Sequence, residues 1–179
     1  DMTIGSAKRL RLGIVFIDIS GFTRYAQSND SEDVLFMLNV FIPEVMELVR
    51  DFDGYFEKNT GDGILAYFGA GDDDEDIVED ILDYIASVKT ALADYVNPIL
   101  EENDVEMISI KVGASLGSTY ISRIGVHSLN RRTAVSSTAN VASKLQDMAS
   151  ENEYFVNHGI YKTAEEHDLN WAEYLTDEG

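Results

Sequence analysis

The chain predicts an α/β sandwich in which helices pack on a mostly antiparallel sheet. Three observations carry that prediction. Apolar, β-branched runs alternate with stretches of helical periodicity in the order β-α-β-β-α-β-β-α-β. A glycine-rich tetrapeptide, Thr60-Gly61-Asp62-Gly63, separates two short strand-like segments, as in a hairpin. No repeat, low-complexity run or linker divides the 179 residues, so 1–179 read as one domain.

Taken in order, residues 1–10 are a polar lead-in expected to be loosely held. Leu12 to Ile19 is apolar almost throughout, as in a strand buried on both faces, and Gly21 ends it. Ser28 to Ser31 is turn chemistry, with Ser31 a candidate N-cap. Val34, Leu35, Leu38, Phe41, Ile42 and Val45 then recur at helical spacing, with Pro43 expected to perturb the helix. Tyr55 to Lys58 and Ile64 to Phe68 are the hairpin strands, which places Asp62 at the tip or just inside the return strand. The acidic run Asp72 to Asp76 begins a long helix reaching about Leu100, where negative charge meets the helix dipole favourably. Met107 to Leu116 and Thr119 to Val126 read as two strands of a further hairpin broken at Gly117. Ser128 to Arg132 reads as a polar loop, Thr138 to Met148 as a helix and Tyr154 to Val156 as a short strand. Asn157 is placed to cap a last helix to about Glu166, and the pattern from Trp171 to Gly179 assigns nothing.

Composition excludes several functions. The absence of cysteine removes disulfides, thiolate metal sites and thiol nucleophiles. Three scattered histidines argue against zinc. A net charge of −20 argues against binding a nucleic-acid backbone, which requires lysine and arginine against phosphate. No apolar run approaches a membrane span and no secretory leader is seen, so a cytoplasmic chain without a membrane partner is expected.

Two segments bear on chemistry. In each of Val15 to Thr23 and Gly54 to Gly63, an acidic residue sits where a strand-like run gives way to glycine. Asp18 and Asp62 are therefore carboxylates at strand ends, neighbours if the first strand pairs beside the hairpin. Hard divalent cations take such oxygen ligands together with substrate phosphates. Each residue is equally at home as a turn former. Lys58, four residues before Asp62, either reaches the same pocket or is an exposed strand lysine. Asn140 and Lys144 share one helix face, where they can bind sugar oxygens and phosphate or form an ordinary polar surface.

Phe16-x-Asp18-Ile19-x-Gly21-Phe22-Thr23, then Gly54-x-x-x-Lys58-x-x-Gly61-Asp62-Gly63-x-x-Ala66-x-Phe68-Gly69, then Asn140-Val141-Ala142-Ser143-Lys144-Leu145 resemble the class III nucleotide cyclases. The resemblance runs through nearly the whole chain in order, with the third motif partial. It implies a ferredoxin-like core and two Mg²⁺ or Mn²⁺ ions held by Asp18, Asp62 and the Ile19 carbonyl. Phe22 and Thr23 would contact the nucleoside triphosphate. Lys58 and Thr133 would read the base, Asn140 would orient the ribose, and Lys144 would stand where the family usually has a transition-state arginine. The resemblance further implies a head-to-tail homodimer with composite sites: Asp18, Asp62 and Lys58 from one subunit, Thr133, Asn140 and Lys144 from the other. The implied reaction is attack of the ribose 3′-hydroxyl on the α-phosphate, giving a 3′,5′-cyclic nucleotide and pyrophosphate.

Departures from the family pattern gather at the base side. Lysine at 144 keeps charge but loses the planar fork of arginine. Residues 132–139 lack the family's usual glycine, Tyr55 is bulky, and the customary C-terminal Lys-Gly segment is absent. Lys58 with Thr133 resembles adenine recognition, while the chain's general character resembles the stand-alone pyrimidine cyclases of bacterial antiphage defence. Cyclisation of a pyrimidine (UTP or CTP) and of ATP both remain open. So does a degenerate domain that binds nucleotide or a partner without turnover, and so does a phosphotransferase of another family needing only Asp18 and Asp62.

Overall fold

β1 (Ala7–Ile19) is the strand on which the molecule is built. The computed structural model describes residues 6–59, 62–126 and 129–177, with the backbone alone for residues 58–59, 123–126 and 129–135. After β1 come α1 (Phe22–Ser28), α2 (Ser31–Asp51), β2 (Tyr55–Asn59) and β3 (Ile64–Phe68). α3 (Asp74–Ala91), α4 (Asn97–Glu102), β4 (Ile110–Val126) and β5 (Leu129–Val135) follow. α5 (Ser137–Met148), β6 (Tyr154–Val156), α6 (His158–Glu166) and a 3₁₀ turn at Ala172–Tyr174 complete the described chain.

The strands form one sheet in the order β2-β3-β1-β4-β5, with β6 parallel beside β4 and all other pairs antiparallel. Alternate residues of a strand face opposite sides. Val15, Ile17 and Ile19 of β1, with Ile64, Ala66 and Phe68 of β3, are buried in the core that also takes in Phe41 and Val45 of α2 and Ile77 and Ile81 of α3. Ile14, Leu65 and Tyr67 take the other face with Phe16, against Ala139 and Ala142 of α5. Burial on both faces is why the run from Leu12 to Ile19 is continuously apolar.

The sandwich and its mostly antiparallel sheet are as expected, and several details differ. β1 begins at Ala7, because β4 is long enough to pair with it from Ser122 back to Ile110. β4 is one strand of 17 residues starting at Ile110, not two strands of a hairpin. Gly117 stays inside the ladder opposite Leu12, and its bare Cα admits the side chain of Thr138. Leu129 to Arg132 belong to β5, paired with β4, rather than to a loop. α1 was not expected: with seven residues and one buried side chain, Tyr25, it is too short to show periodicity. The long helix divides, since Pro98 has no amide to continue the α ladder and the chain widens into a π turn over Leu92–Val96.

α2 runs unbroken through Pro43, with Asp30 rather than Ser31 in the N-cap position. Asp73 caps α3 by accepting from the Asp76 amide, Ser136 caps α5 and Asn157 caps α6. The expected turn residues Thr60, Gly61 and Ser128, the lead-in residues 1–5 and the last two residues lie outside the described residues.

Candidate active site

Asp18 is the penultimate residue of β1, and Asp62 stands two residues before β3 begins. Ile17 pairs with Ile64, so the β1–β3 ladder brings the two carboxyls together as the sequence order suggested. Burial and the neighbouring charge and hydrogen bond of Asp62 push the Asp18 carboxyl up to about 6, with Asp147 adding to the rise and Lys111 opposing it. Two carboxylates this close resist joint ionisation unless a cation lies between them. Among the described residues no group of three or more histidines or acids forms a metal cluster. A hard ion here would take the two carboxylates, the backbone carbonyl of Ile19, water and substrate phosphate, a donor set that fits Mg²⁺ or Mn²⁺.

Gly21, with φ of 65°, turns the chain from β1 into α1 in a conformation that costs glycine nothing. That turn sets half-buried Phe22 and exposed Thr23 directly after the carboxylate end of β1. The Tyr25 hydroxyl donates to the Glu106 carbonyl at 2.7 Å and the Ser20 amide to the Ser109 carbonyl at 2.8 Å, tying this turn to the segment entering β4.

Asn140 and Lys144 lie on α5, and both are exposed. The side of α5 turned to Asp18 carries Gln146 instead, whose Nε2 donates to Asp18 Oδ2 at 3.4 Å. Lys58 pairs by backbone with Leu65 on β3, and Thr133 with Ser122 on β4; their side chains lie outside the described atoms. β2 and β5 are the two ends of the strand order, with β3, β1 and β4 between them. Four strand spacings of about 4.8 Å put Lys58 and Thr133 roughly 19 Å apart across the sheet, and the registers, Lys58 level with Gly113 and Thr133 with Ser122 of β4, offset them further by about 30 Å along the strands. One chain therefore gathers Asp18, Asp62 and the Ile19 carbonyl and keeps Thr133 well away from Lys58.

Two residues at this site escaped the sequence reading. Lys111 is directly opposite Asp18 in the β1–β4 register. A lysine inside the otherwise uncharged Ile110 to Leu116 was the available signal. Gln146, only 9% exposed, had no signal beyond its place on α5. A broader feature was hidden by the whole-chain charge. Residues 107–146 contain none of the 33 acidic residues, nor do residues 7–17, and together they hold eight of the 13 lysines and arginines. These segments build most of β1 and all of β4 and β5, and α5 as far as Gln146. The acidic residues gather elsewhere, many on the helices of the opposite layer. Of these cations, Lys111 stands opposite Asp18 and Lys144 on α5, whereas Arg11 turns to the opposite layer and pairs with Asp74 of α3.

Residues 6–174 match the family described as the adenylate and guanylate cyclase catalytic domain. A cytidylate cyclase of Staphylococcus aureus is 28% identical over 152 residues, covering 83% of this chain and 36% of the relative. One of Escherichia coli is 29% identical over 170 residues, covering 90% of this chain and 36% of the relative. An adenylate cyclase of Anabaena cylindrica is 24% identical over 151 residues, 84% of this chain and 30% of the relative. The chain thus spans about a third of the length of these curated relatives. Among solved structures, the adenylyl cyclase CyaB from P. aeruginosa superposes with a TM-score of 0.84 at 18% identity, over 90% of this chain and 83% of that one. No helix among the described residues is long and apolar enough to cross a membrane.

Proposed function

Because the chain belongs to the family of adenylate and guanylate cyclase catalytic domains, we propose that it converts a nucleoside triphosphate to its 3′,5′-cyclic nucleotide and pyrophosphate, at two composite sites of a head-to-tail homodimer. The observation that carries this reading is the division of the site residues. Asp18 and Asp62 meet at one end of β1 and β3, while Lys58 and Thr133 occupy opposite edges of the same sheet. A base held by both lysine and threonine needs Thr133 from a second copy, which brings that copy's exposed Asn140 and Lys144 with it.

In this reading Asp18, Asp62 and the Ile19 carbonyl hold two divalent ions. When bound, the ions supply the positive charge that favours attack by the ribose 3′-oxygen and departure of pyrophosphate. Lys111, beside Asp18 in the sheet, faces the triphosphate and offsets its charge. Phe22 and Thr23 line the turn against the phosphates. Asn140 of the second copy orients the ribose, and Lys144 places its ammonium against the charge that builds on phosphorus.

The base we assign is a pyrimidine, with CTP first and UTP second. Tyr55 and Tyr67 face each other across the β2–β3 ladder, their rings stacked at 6.1 Å. Lys58 pairs with Leu65, two residues before Tyr67 on the same face of β3. Two stacked rings next to the base-reading row leave more room for a single-ring base than for a purine. The similarity to cytidylate cyclases points the same way. A second reading, nucleotide binding without turnover, draws on Lys144 and on residues 132–139, which lack the family's usual glycine.

Incubating the protein with each of the four ribonucleoside triphosphates and Mn²⁺, then weighing the products, tests the proposal. Cyclic CMP or cyclic UMP is expected. A folded dimer that cyclises only ATP would overturn the base assignment, and one that cyclises nothing would overturn the activity.

A further inference from the structure

α5 has two faces with different tasks. Its outward face presents Asn140 and Lys144 to solvent, and thus to a second copy. Its inward face carries Gln146, buried and reaching Asp18 of its own chain at 3.4 Å. A buried side-chain amide costs free energy unless it is hydrogen-bonded, and the partner that Gln146 reaches is a carboxylate at the centre of the candidate metal site.

The helix is set flush on β4 where this contact is made. A Cβ on Gly113 would collide with the Ala142 carbonyl oxygen and the Gln146 amide nitrogen, and one on Gly117 would collide with Thr138. Thr138 also donates its hydroxyl to the Ser118 carbonyl at 3.2 Å. Gly113 is opposite Phe16 in the β1–β4 ladder, two residues before Asp18 on the same face of β1. Close packing of α5 on the two glycines therefore fixes the backbone of Gln146 beside Asp18, within reach of its side-chain amide.

We infer that Gln146 is a positioning residue for the Asp18 carboxylate, holding one of its oxygens so that the other is left for a divalent ion. Groups that hydrogen-bond a metal ligand orient it and strengthen its hold on the ion. One helix thus serves two sites: Gln146 acts in cis on the carboxylate of its own chain, and Asn140 and Lys144 act in trans on the other site. This inference rests on the proposed role of Asp18 as a metal ligand and, for its trans half, on the composite dimer.

The test replaces Gln146 by leucine, which keeps the volume and helix preference and removes the amide. Titration of the nucleotide-free protein with Mn²⁺ alone, followed by the electron paramagnetic resonance signal of free ion, is expected to show affinity about 10- to 100-fold weaker than wild type. Unchanged affinity overturns the inference. A second measurement separates positioning from damage to the helix. A mixed dimer of an Asn140→Ala chain with an Asp18→Ala chain keeps one site, built from Asp18 of the first and α5 of the second. Gln146→Leu in the first chain is expected to cost at least fivefold more activity than the same change in the second. Equal losses mean that α5 itself has been disturbed, and the inference falls. An inactive parental mixture would sink the composite-dimer reading, and the Mn²⁺ titration would still decide the role of Gln146.

Discussion

Lys111 stands directly opposite Asp18 across the β1–β4 ladder, a cation next to a carboxylate that burial and Asp62 make hard to ionise. Its charge draws the Asp18 carboxyl back toward the ionised form, against those two effects. Lys111→Met should therefore raise the KM for the triphosphate by about 10- to 100-fold, the range for losing a hydrogen bond to a charged group. Steady-state kinetics at saturating Mn²⁺ measures it, and a KM within twofold of wild type would remove Lys111 from the triphosphate site.

The Asp18 carboxyl predicts a pH dependence of stability. Its value in the folded protein, about 6, lies above the ordinary 3.8, so ionising it costs folding free energy. That cost is absent below about pH 4 and complete above about pH 6. Without metal, Asp18→Asn should raise Tm at pH 7.5 and leave it unchanged at pH 4. Adding Mn²⁺ at pH 7.5 should raise the Tm of wild type and not of the variant. Thermal melts at the two pH values check all of this.

Tyr84 is fully buried between Phe52 and Phe68, and its hydroxyl finds no hydrogen-bond partner among the described residues. Burying an unpaired hydroxyl costs about 1–3 kcal/mol. Tyr84→Phe keeps the ring contacts and removes the cost, so Tm should rise by about 2–12 °C with activity unchanged. A fall in Tm would mean that the hydroxyl is bonded in solution.

Gly113→Ala should be damaging in proportion to its position, since the added methyl meets the backbone of α5. A loss of about 2–3 kcal/mol is expected from overpacking, together with weaker Mn²⁺ binding as Gln146 is lifted from Asp18. Urea unfolding with a parallel Mn²⁺ titration separates the two effects.

Much of the fold was legible in the sequence, for reasons visible in particular elements. Leu12 to Ile19 declared itself by its continuous apolar run, the start of α3 by its acidic residues, α6 by Asn157 as its cap, and the 55–68 hairpin by its glycines. β4 was misread as two strands because Gly117 looks like a break locally. Only the distant Thr138 explains a glycine there. β5 was misread as a loop because its polar residues carry no alternating pattern. At the site, Asp18 and Asp62 were legible from glycine-bounded strand ends. Lys111 and Gln146 were not, because their role depends on which strand and which helix lie across from Asp18, and register is not written in local composition.

The central claim is that each site is completed by a second copy of the chain. Mixing Asp18→Ala protein with Asn140→Ala protein, each inactive alone, and following cyclic CMP from CTP with Mn²⁺ tests it most directly. At equal mixing, half the dimers are mixed and each carries one intact site, so roughly a quarter of the wild-type rate should return. A mixture as inactive as its parents, with exchange of subunits demonstrated, would contradict the account.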